Sequence, residues 1–194
     1  MKNLLIINGN PDKESYSSAL TDAYLQGASR NDGLKVDVLN VIDLNFDPVL
    51  KFGYKKRTVL EPDLERALEL IKKAHHTVWI FPTWWGGVPA ILKGFIDRLF
   101  LPGHLFKYHK KGPFWDKLMK GKTARIITTM DAPVWYYYLV YGSPGHKSMK
   151  GLTLDFVGFK TKITSIGNMK HSKEKYKVKW IEKIKKLGFK ENRS

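Results

Sequence analysis

Residues 79–100, WIFPTWWGGVPAILKGFIDRLF, decide how the rest of this chain is interpreted. The stretch begins as a short apolar run, crosses a loop with two tryptophans and two glycines, and resumes at Pro89 with apolar residues at helical spacing. This pattern predicts a buried strand, a loop and an amphipathic helix. Open α/β sheets bind ligands at the carboxyl ends of their strands, and the loop offers flat aromatic surfaces there, so we expect it to bind a planar cofactor. The loop residues predicted to contact it are Pro82, Thr83, Trp84, Trp85 and Gly86.

The same stretch resembles a known family, the flavodoxin-like NAD(P)H quinone oxidoreductases. In that family a strand ending in Phe-Pro is followed by an aromatic loop and then by Gly-Val-Pro-Ala, a hydrophobic residue and Leu-Lys-Gly. This chain has the matching string over residues 87–94, and the resemblance covers nearly its whole length. From the residues alone, Trp84 and Trp85 could instead pack against a neighbouring element.

The composition indicates one domain without thiol or metal chemistry. The chain has 194 residues, 43% of them hydrophobic, which is enough for a single domain over residues 1–194. No segment has the features of a signal peptide or a membrane span, so we expect a cytoplasmic protein with no membrane partner. There is no cysteine, and the six histidines lack the spacing of metal ligands. Any redox chemistry must therefore come from a bound organic cofactor.

The formal net charge of +16 raises the question of nucleic-acid binding. Much of the excess lies in residues 107–111 and 173–186, where the second group of lysines lies along a predicted surface helix. No nucleic-acid-binding motif accompanies them. We therefore favour a solvated basic face, which would also attract anionic cofactors and substrates, and leave nucleic-acid binding as the alternative.

A second polar loop follows the first predicted strand and leads into a helix after Ser15. Free backbone N–H groups and the helix dipole favour a phosphate at such a helix start, although serine is also an ordinary N-cap residue. The loop resembles the flavin-phosphate loop of the quinone reductases. That resemblance assigns the phosphate contacts to Asn10, Ser15, Tyr16 and Ser17, with Asn10 and Ser17 replacing the family's usual His and Asn.

Strand and helix patterns alternate along the chain. We expect Ser172 to cap the last helix and Gly188 to end it. The alternation predicts an α/β, flavodoxin-like, doubly wound sheet of five parallel strands in the order 2-1-3-4-5, with helices on both faces. The strands are predicted at residues 4–7, 35–41, 77–81, 124–129 and 161–166.

Residues 101–122 contain many turn residues and no long periodic element. In the family the equivalent connection helps to build the substrate pocket across a dimer interface. The resemblance therefore implies that Phe106 and Tyr108 line the substrate pocket. The alternative is a surface loop anchored by two aromatic side chains.

Two later segments also correspond to segments that have a function in members of the family. Thr128 and Thr129 coincide with a loop that holds the polar edge of the flavin, although Met130 and Asp131 replace its two glycines. The family next has a Tyr and a His that assist hydride transfer. The tyrosine candidates here are Tyr136, Tyr137, Tyr138 and Tyr141, of which we select Tyr136 and Tyr141, and the histidine candidate is His146, which is shifted from the family's spacing. We therefore expect hydride transfer not to require it.

The resemblance implies a homodimeric flavoenzyme that passes a hydride from NADPH or NADH through a flavin to a quinone or similar electrophile. FMN is preferred to FAD because the chain lacks the extra segment of larger family members. One alternative is a flavodoxin-type electron carrier, although such carriers tend to be acidic. Another is a flavin-binding regulatory partner of a larger protein, such as a transporter.

Overall fold

The computed structural model describes residues 1–191, and their central feature is a parallel sheet of five seven-residue strands. These strands are β1 (Lys2–Asn8), β2 (Leu34–Asn40), β3 (His76–Pro82), β6 (Thr123–Thr129) and β7 (Lys160–Ile166). Their order across the sheet is β2-β1-β3-β6-β7, which confirms the predicted order 2-1-3-4-5. Residues 192–194 of the predicted domain lie outside the described residues.

Helices connect the strands and cover both faces of the sheet. The longer helices are α1 (Tyr16–Ala28), α2 (Pro62–Lys73), α3 (Ala90–Leu99) and α7 (Glu174–Lys190). Before β7 come α4 (Val134–Leu139), α5 (Pro144–His146), a π-helical segment (Lys147–Leu154) and α6 (Asp155–Val157). One apolar cluster joins α2 and α3 to the sheet, and a second joins α1 and α7 to it. The predicted two-sided arrangement is therefore confirmed.

Glycines allow α1 and α7 to pack closely against each other. A Cβ atom at Gly27 would lie 1.9 Å from the Lys185 carbonyl oxygen, and one at Gly188 would lie 2.3 Å from the Tyr24 carbonyl oxygen. The prediction that Gly188 ends the last helix is wrong, because α7 continues to Lys190. Here the close approach of two backbones outweighs the poor helix propensity of glycine.

The start of α7 also differs from the sequence-based expectation. Its N-cap residue is Lys173, which makes no side-chain capping hydrogen bond. The Ser172 hydroxyl instead donates a hydrogen bond of 2.8 Å to the Met169 carbonyl oxygen. The serine therefore closes the preceding turn and does not cap the helix.

Residues 101–122, predicted to be irregular, contain a short antiparallel hairpin. Its strands are β4 (Phe106–Tyr108) and β5 (Trp115–Lys117). A strand of three residues is too short to show a recognisable alternation of polar and apolar side chains. The hairpin could therefore not be predicted from periodicity.

Arg98 in α3 holds the long connection between β2 and α2. Its side chain is 1% exposed, and Nη2 donates hydrogen bonds to the Glu61 carboxylate (2.7 Å) and the Val59 carbonyl oxygen (3.0 Å). Nη1 donates to the Asp47 carbonyl oxygen. The buried guanidinium thus makes charge-assisted hydrogen bonds to two carbonyl oxygens and a partly exposed carboxylate of this connection, which fix it against α3.

Within residues 1–191, none of the helices combines the length and the apolar character needed to cross a membrane.

Candidate functional site

The order of the sheet reverses between β1 and β3, and the loops that follow these two strands lie side by side. The Gly9 N–H group, directly after β1, donates a hydrogen bond of 2.8 Å to the Ile80 carbonyl oxygen in β3. From β1 the chain continues to α1 on one face of the sheet, and from β3 to α3 on the other. Such a reversal opens a crevice at the carboxyl ends of the strands, where α/β proteins bind their ligands.

Asparagine side chains shape the loop after β1. The side-chain oxygen Oδ1 of Asn8 accepts a hydrogen bond from the Asn10 N–H (3.2 Å), and the side-chain nitrogen Nδ2 of Asn8 donates one to the Ser18 hydroxyl (3.1 Å). Asn10 is 6% exposed, and its Oδ1 accepts from the Asp12 N–H at 3.0 Å. Asn8 thus organises the loop although it was not a predicted site residue. Its position between an apolar strand and a glycine is typical of asparagine in turns.

The start of α1 offers backbone donors. Ser15 is the N-cap, and its Oγ accepts a hydrogen bond of 3.3 Å from the Ser18 N–H. The N–H groups of Tyr16 and Ser17 have no acceptor within the helix, because they belong to its first turn. Together with the helix dipole, these two donors fit a phosphate group.

The Tyr16 side chain is turned toward α7. Its hydroxyl donates a hydrogen bond of 2.7 Å to the Lys177 carbonyl oxygen, and burial raises the pKa of this phenol to about 12. Tyr16 therefore offers its N–H group, and not its hydroxyl, to a ligand at the helix start. The phosphate contacts of Asn10, Ser15, Tyr16 and Ser17 stay predictions.

The loop after β3 is a tight turn that presents a tryptophan to solvent. Trp84 and Gly87 exchange two backbone hydrogen bonds, of 3.1 and 2.9 Å. The two central residues, Trp85 and Gly86, have positive φ angles of 50° and 76°, as in a type I′ turn. Trp85 is fully exposed and Trp84 is 48% exposed. Within the described chain, Trp85 therefore does not pack against a neighbouring element, which was the alternative interpretation.

Thr83 joins this turn to the end of β6. Its N–H group donates a hydrogen bond of 2.7 Å to the Thr129 carbonyl oxygen, and its hydroxyl lies 2.8 Å from that of Thr128. Thr128 is fully buried and Thr129 is 8% exposed. The structure thus brings together the predicted cofactor residues that follow β3 and those that end β6. Their contacts with a cofactor stay predictions.

The three catalytic candidates have different surroundings. Tyr136 and Tyr141 form an edge-to-face pair with ring centroids 5.1 Å apart, and the hydrogen bond between them raises the pKa of Tyr141. His146 is 4% exposed, with its Nε2 3.5 Å from the Ser165 hydroxyl. Burial lowers the pKa of this imidazole, which favours its neutral form at pH 7. The catalytic roles of all three residues stay predictions.

Phe106 and Tyr108 line a cavity of about 430 Å³ between α3, the hairpin and the π-helical segment. Their rings meet edge to face at 5.2 Å; Phe106 is 5% exposed and Tyr108 is 55% exposed. None of the predicted cofactor residues lines this cavity. Within residues 1–191 of one copy, the predicted substrate residues and the predicted cofactor residues therefore do not line a single cavity.

The family model for the flavodoxin-like fold matches residues 2–185, so the chain belongs to this family. It is 30% identical to the guinea pig (Cavia porcellus) NAD(P)H dehydrogenase [quinone] 1 over 66% of this chain and 54% of that protein. It is 26% identical to the rat (Rattus norvegicus) ribosyldihydronicotinamide dehydrogenase [quinone] over 96% of this chain and 92% of that protein. The match to the guinea pig protein thus spans about half of that relative's length.

Two further similarities concern bacterial proteins. The FMN-dependent NADH:quinone oxidoreductase 2 of Listeria innocua is 35% identical over 80 residues, which are 38% of this chain and 37% of that protein. The crystal structure of Smu.1420 from Streptococcus mutans UA159 superposes with a TM-score of 0.81 and 26% identity, over 96% of this chain and 98% of that one. The likeness to Smu.1420 thus extends over nearly the whole chain, and that to the Listeria protein over little more than a third of it.

Proposed function

We propose that this protein is a flavin-dependent oxidoreductase that binds FMN and transfers a hydride from NADPH or NADH to a quinone or similar small electrophile. The observation that carries the proposal is the pairing of two loops at one crevice. The free N–H groups at the start of α1 fit a phosphate, and the exposed Trp85 in the adjacent turn fits a planar ring. The names of the relatives support the oxidoreductase class.

The candidate residues form two groups, one for the phosphate end of FMN and one for its ring. The phosphate would be held by the N–H groups of Tyr16 and Ser17, in a loop shaped by Asn8 and Asn10. The ring would lie against the turn formed by residues 84–87. Thr83 ties that turn to Thr129 by a backbone hydrogen bond, so the loops after β3 and β6 lie side by side at the ring site.

Bound flavin would supply the ring that accepts and donates the hydride. The contribution of the chain is to orient the reactants and to stabilise developing charge. When the buried Thr128 hydroxyl donates to that of Thr83, the half-buried Thr83 hydroxyl can donate one hydrogen bond to the polar edge of a ring without any proton leaving a side chain. Tyr136 and Tyr141 could act as additional donors, whereas the buried, neutral His146 is poorly suited to the uptake of a proton.

The proposal includes a homodimer in the cytoplasm. Phe106 and Tyr108 line a cavity apart from the cofactor residues of their own chain, so a second copy is needed if they are to line the substrate site. Trp84, Trp85 and Tyr108 are exposed in one chain, and a second copy would cover aromatic area that a monomer leaves in water. Light scattering tests this part: a monomer that still reduces quinones would show that one chain is sufficient.

The experiment for the function has two stages. Reconstitution with FMN should give a yellow protein with quenched flavin fluorescence, and steady-state assays with NADH or NADPH and a soluble quinone should show turnover. An electron carrier or a regulatory partner would bind flavin without sustained turnover. Failure to retain any flavin would remove the basis of the proposal.

The helix start offers a matched pair of variants: Tyr16→Ala keeps the free N–H group, and Tyr16→Pro removes it. Proline is favoured at this first helical position, and the preceding Ser15 is already extended. Relative to Tyr16→Ala, Tyr16→Pro should weaken FMN binding far more than the binding of riboflavin, which has no phosphate. An equal loss for both ligands would indicate that the phosphate lies elsewhere.

A further inference from the structure

Tyr137 connects the turn of residues 84–87 to the segment that precedes the π-helix. Its hydroxyl donates a hydrogen bond of 2.9 Å to the Gly86 carbonyl oxygen and accepts one of 2.9 Å from the Gly145 N–H. The side chain is 2% exposed, although Tyr136 and Tyr138 on either side are more accessible. One phenol thus joins two loops that are far apart in the sequence.

The two loops touch directly at this point. A Cβ atom at Gly145 would lie 2.4 Å from the Gly86 carbonyl oxygen and 2.9 Å from the Tyr137 hydroxyl. A Cβ atom at Gly86 would lie 3.3 Å from the Pro144 ring. The Pro144 ring and the Gly145 backbone therefore form the support on which the turn rests, and there is no space for a larger residue at position 145.

Both loops have backbone conformations that need support. Trp85 and Ser143 are non-glycine residues with φ angles of 50°, a conformation that costs energy for residues with a Cβ atom. The Ser143 N–H group also donates a hydrogen bond of 3.0 Å to the Tyr137 carbonyl oxygen. Tyr137 therefore holds both strained segments, one through its side chain and one through its backbone.

The Tyr137 hydroxyl is poorly suited to proton transfer. Its single hydrogen already lies toward Gly86, and burial raises the pKa of the phenol. Its ring packs edge to face against that of His146, with centroids 4.9 Å apart. These contacts restrict the side chain to one position.

We propose that Tyr137 is a positioning residue that holds the turn of residues 84–87, and with it Trp85, in the conformation that binds the cofactor ring. This inference rests on the proposed flavin site and adds a residue that does not touch the cofactor. Without the two hydrogen bonds, Trp85 can relax toward negative φ angles. Only the fraction of molecules with the turn in place then binds ligand, and the apparent affinity falls by that fraction.

The test compares Tyr137→Phe with Tyr138→Phe, which removes a neighbouring hydroxyl of the same kind. Titration with FMN well below the unfolding temperature of each apoprotein should show a roughly tenfold weaker Kd for Tyr137→Phe, because the part-buried Gly86 carbonyl and Gly145 N–H lose their partner. Tyr138→Phe should bind as the wild type does. A purely structural role would lower the unfolding temperature and leave Kd unchanged, and that result would overturn the inference.

Gly145→Ala provides a second variant that keeps the phenol. Its Cβ atom meets the Gly86 carbonyl oxygen, so it should displace the turn and weaken FMN binding even if Tyr137→Phe does not fold. Wild-type FMN affinity in a folded Gly145→Ala protein would contradict the inference.

Hydrogen exchange in the apoprotein separates failure of the inference from failure of the proposed function. The N–H groups of Trp84 and Gly87 are bonded across the turn and should exchange faster in Tyr137→Phe than in Tyr138→Phe. If the wild type binds no flavin, the proposed function is wrong, and so is the choice of FMN as the ligand of the turn. Unchanged exchange at both groups would overturn the positioning role whether or not flavin binds.

Discussion

Replacing Trp85 with glycine should stabilise the apoprotein and weaken flavin binding. The residue has a φ angle of 50°, which costs a non-glycine residue about 1–2 kcal/mol. Its side chain is fully exposed within one chain, so its removal sacrifices no burial at protein concentrations where the apoprotein is monomeric. Glycine increases the entropy of the unfolded state, which offsets roughly 0.4–1 kcal/mol of the gain. The net stabilisation is about 1 kcal/mol, or a rise in Tm of roughly 2–4 °C for a chain of this size.

The same substitution removes the aromatic surface proposed to contact the flavin ring. Stacking of a planar base on an aromatic side chain contributes about 1–3 kcal/mol, so the Kd for FMN should rise roughly 5- to 150-fold. Calorimetry of the apoprotein gives Tm, and quenching of flavin fluorescence gives Kd. Stability and affinity should therefore change in opposite directions.

Trp85→Ala is the matched control, because alanine removes the ring and keeps the Cβ atom that makes a positive φ unfavourable. It should lose FMN affinity to the same extent as Trp85→Gly without the rise in Tm. A Tm for the glycine variant at or below that of the alanine variant would refute the argument from backbone strain. An unchanged Kd in both variants would show that Trp85 does not contact the flavin.

Three further predictions concern other parts of the molecule. Gly27→Ala should lower the free energy of unfolding, measured in urea, by about 1–3 kcal/mol, because its Cβ atom would overlap the backbone of α7. Gly151→Ala is the control, since there is open space around its Cβ position, and equal effects of the two substitutions would contradict the packing argument. Burial lowers the pKa of His76 from 6.5 to about 4, so the unfolded chain binds more protons between these values and stability should decrease as pH falls through that range. The free energy of unfolding, measured by denaturation at several pH values, should change less with pH in His76→Gln than in the wild type. An identical pH dependence in the two proteins would show that His76 is not the cause. His146→Ala should keep flavin reduction within a few-fold of wild type in stopped-flow experiments, whereas a loss of roughly a hundredfold or more would restore its role in proton transfer.

The sheet was predictable from the sequence because its strands are local patterns. Four-residue apolar runs such as residues 4–7, each ended by turn-forming residues, are typical of buried parallel strands. The alternation of such runs with helical spacing leaves few possible topologies. The close packing of Gly27 and Gly188 was not predictable, because it depends on two helices that are distant in the sequence.

The candidate site was predictable only in part, for the same reason. The glycines and tryptophans of residues 84–87 indicate a turn with an aromatic surface, but nothing local indicates that Trp85 takes the left-handed position. The run of three tyrosines at residues 136–138 contains candidates for function. Helix α4 has six residues, too few for periodicity to show which tyrosine faces inward. The role of Tyr137 becomes visible only when Gly86, 51 positions earlier, lies beside it.

The distribution of backbone strain supports the location of the site independently of the relatives. Within residues 1–191, the non-glycine residues with positive φ angles are Trp85, Ser143 and Asn168. Trp85 and Asn168 lie in the loops after β3 and β7, and Ser143 lies in the segment that supports the turn of residues 84–87. The Asn168 N–H group donates a hydrogen bond of 3.2 Å to the Ala132 carbonyl oxygen, which ties its loop to the one after β6. Strain persists where the surrounding structure enforces it, and in proteins it is concentrated at functional sites. Asparagine adopts the left-handed conformation routinely, so Asn168 adds little strain. Because Trp85 and Ser143 are both associated with the carboxyl edge of the sheet, the chain departs from its local preferences at the edge where the cofactor is proposed to bind.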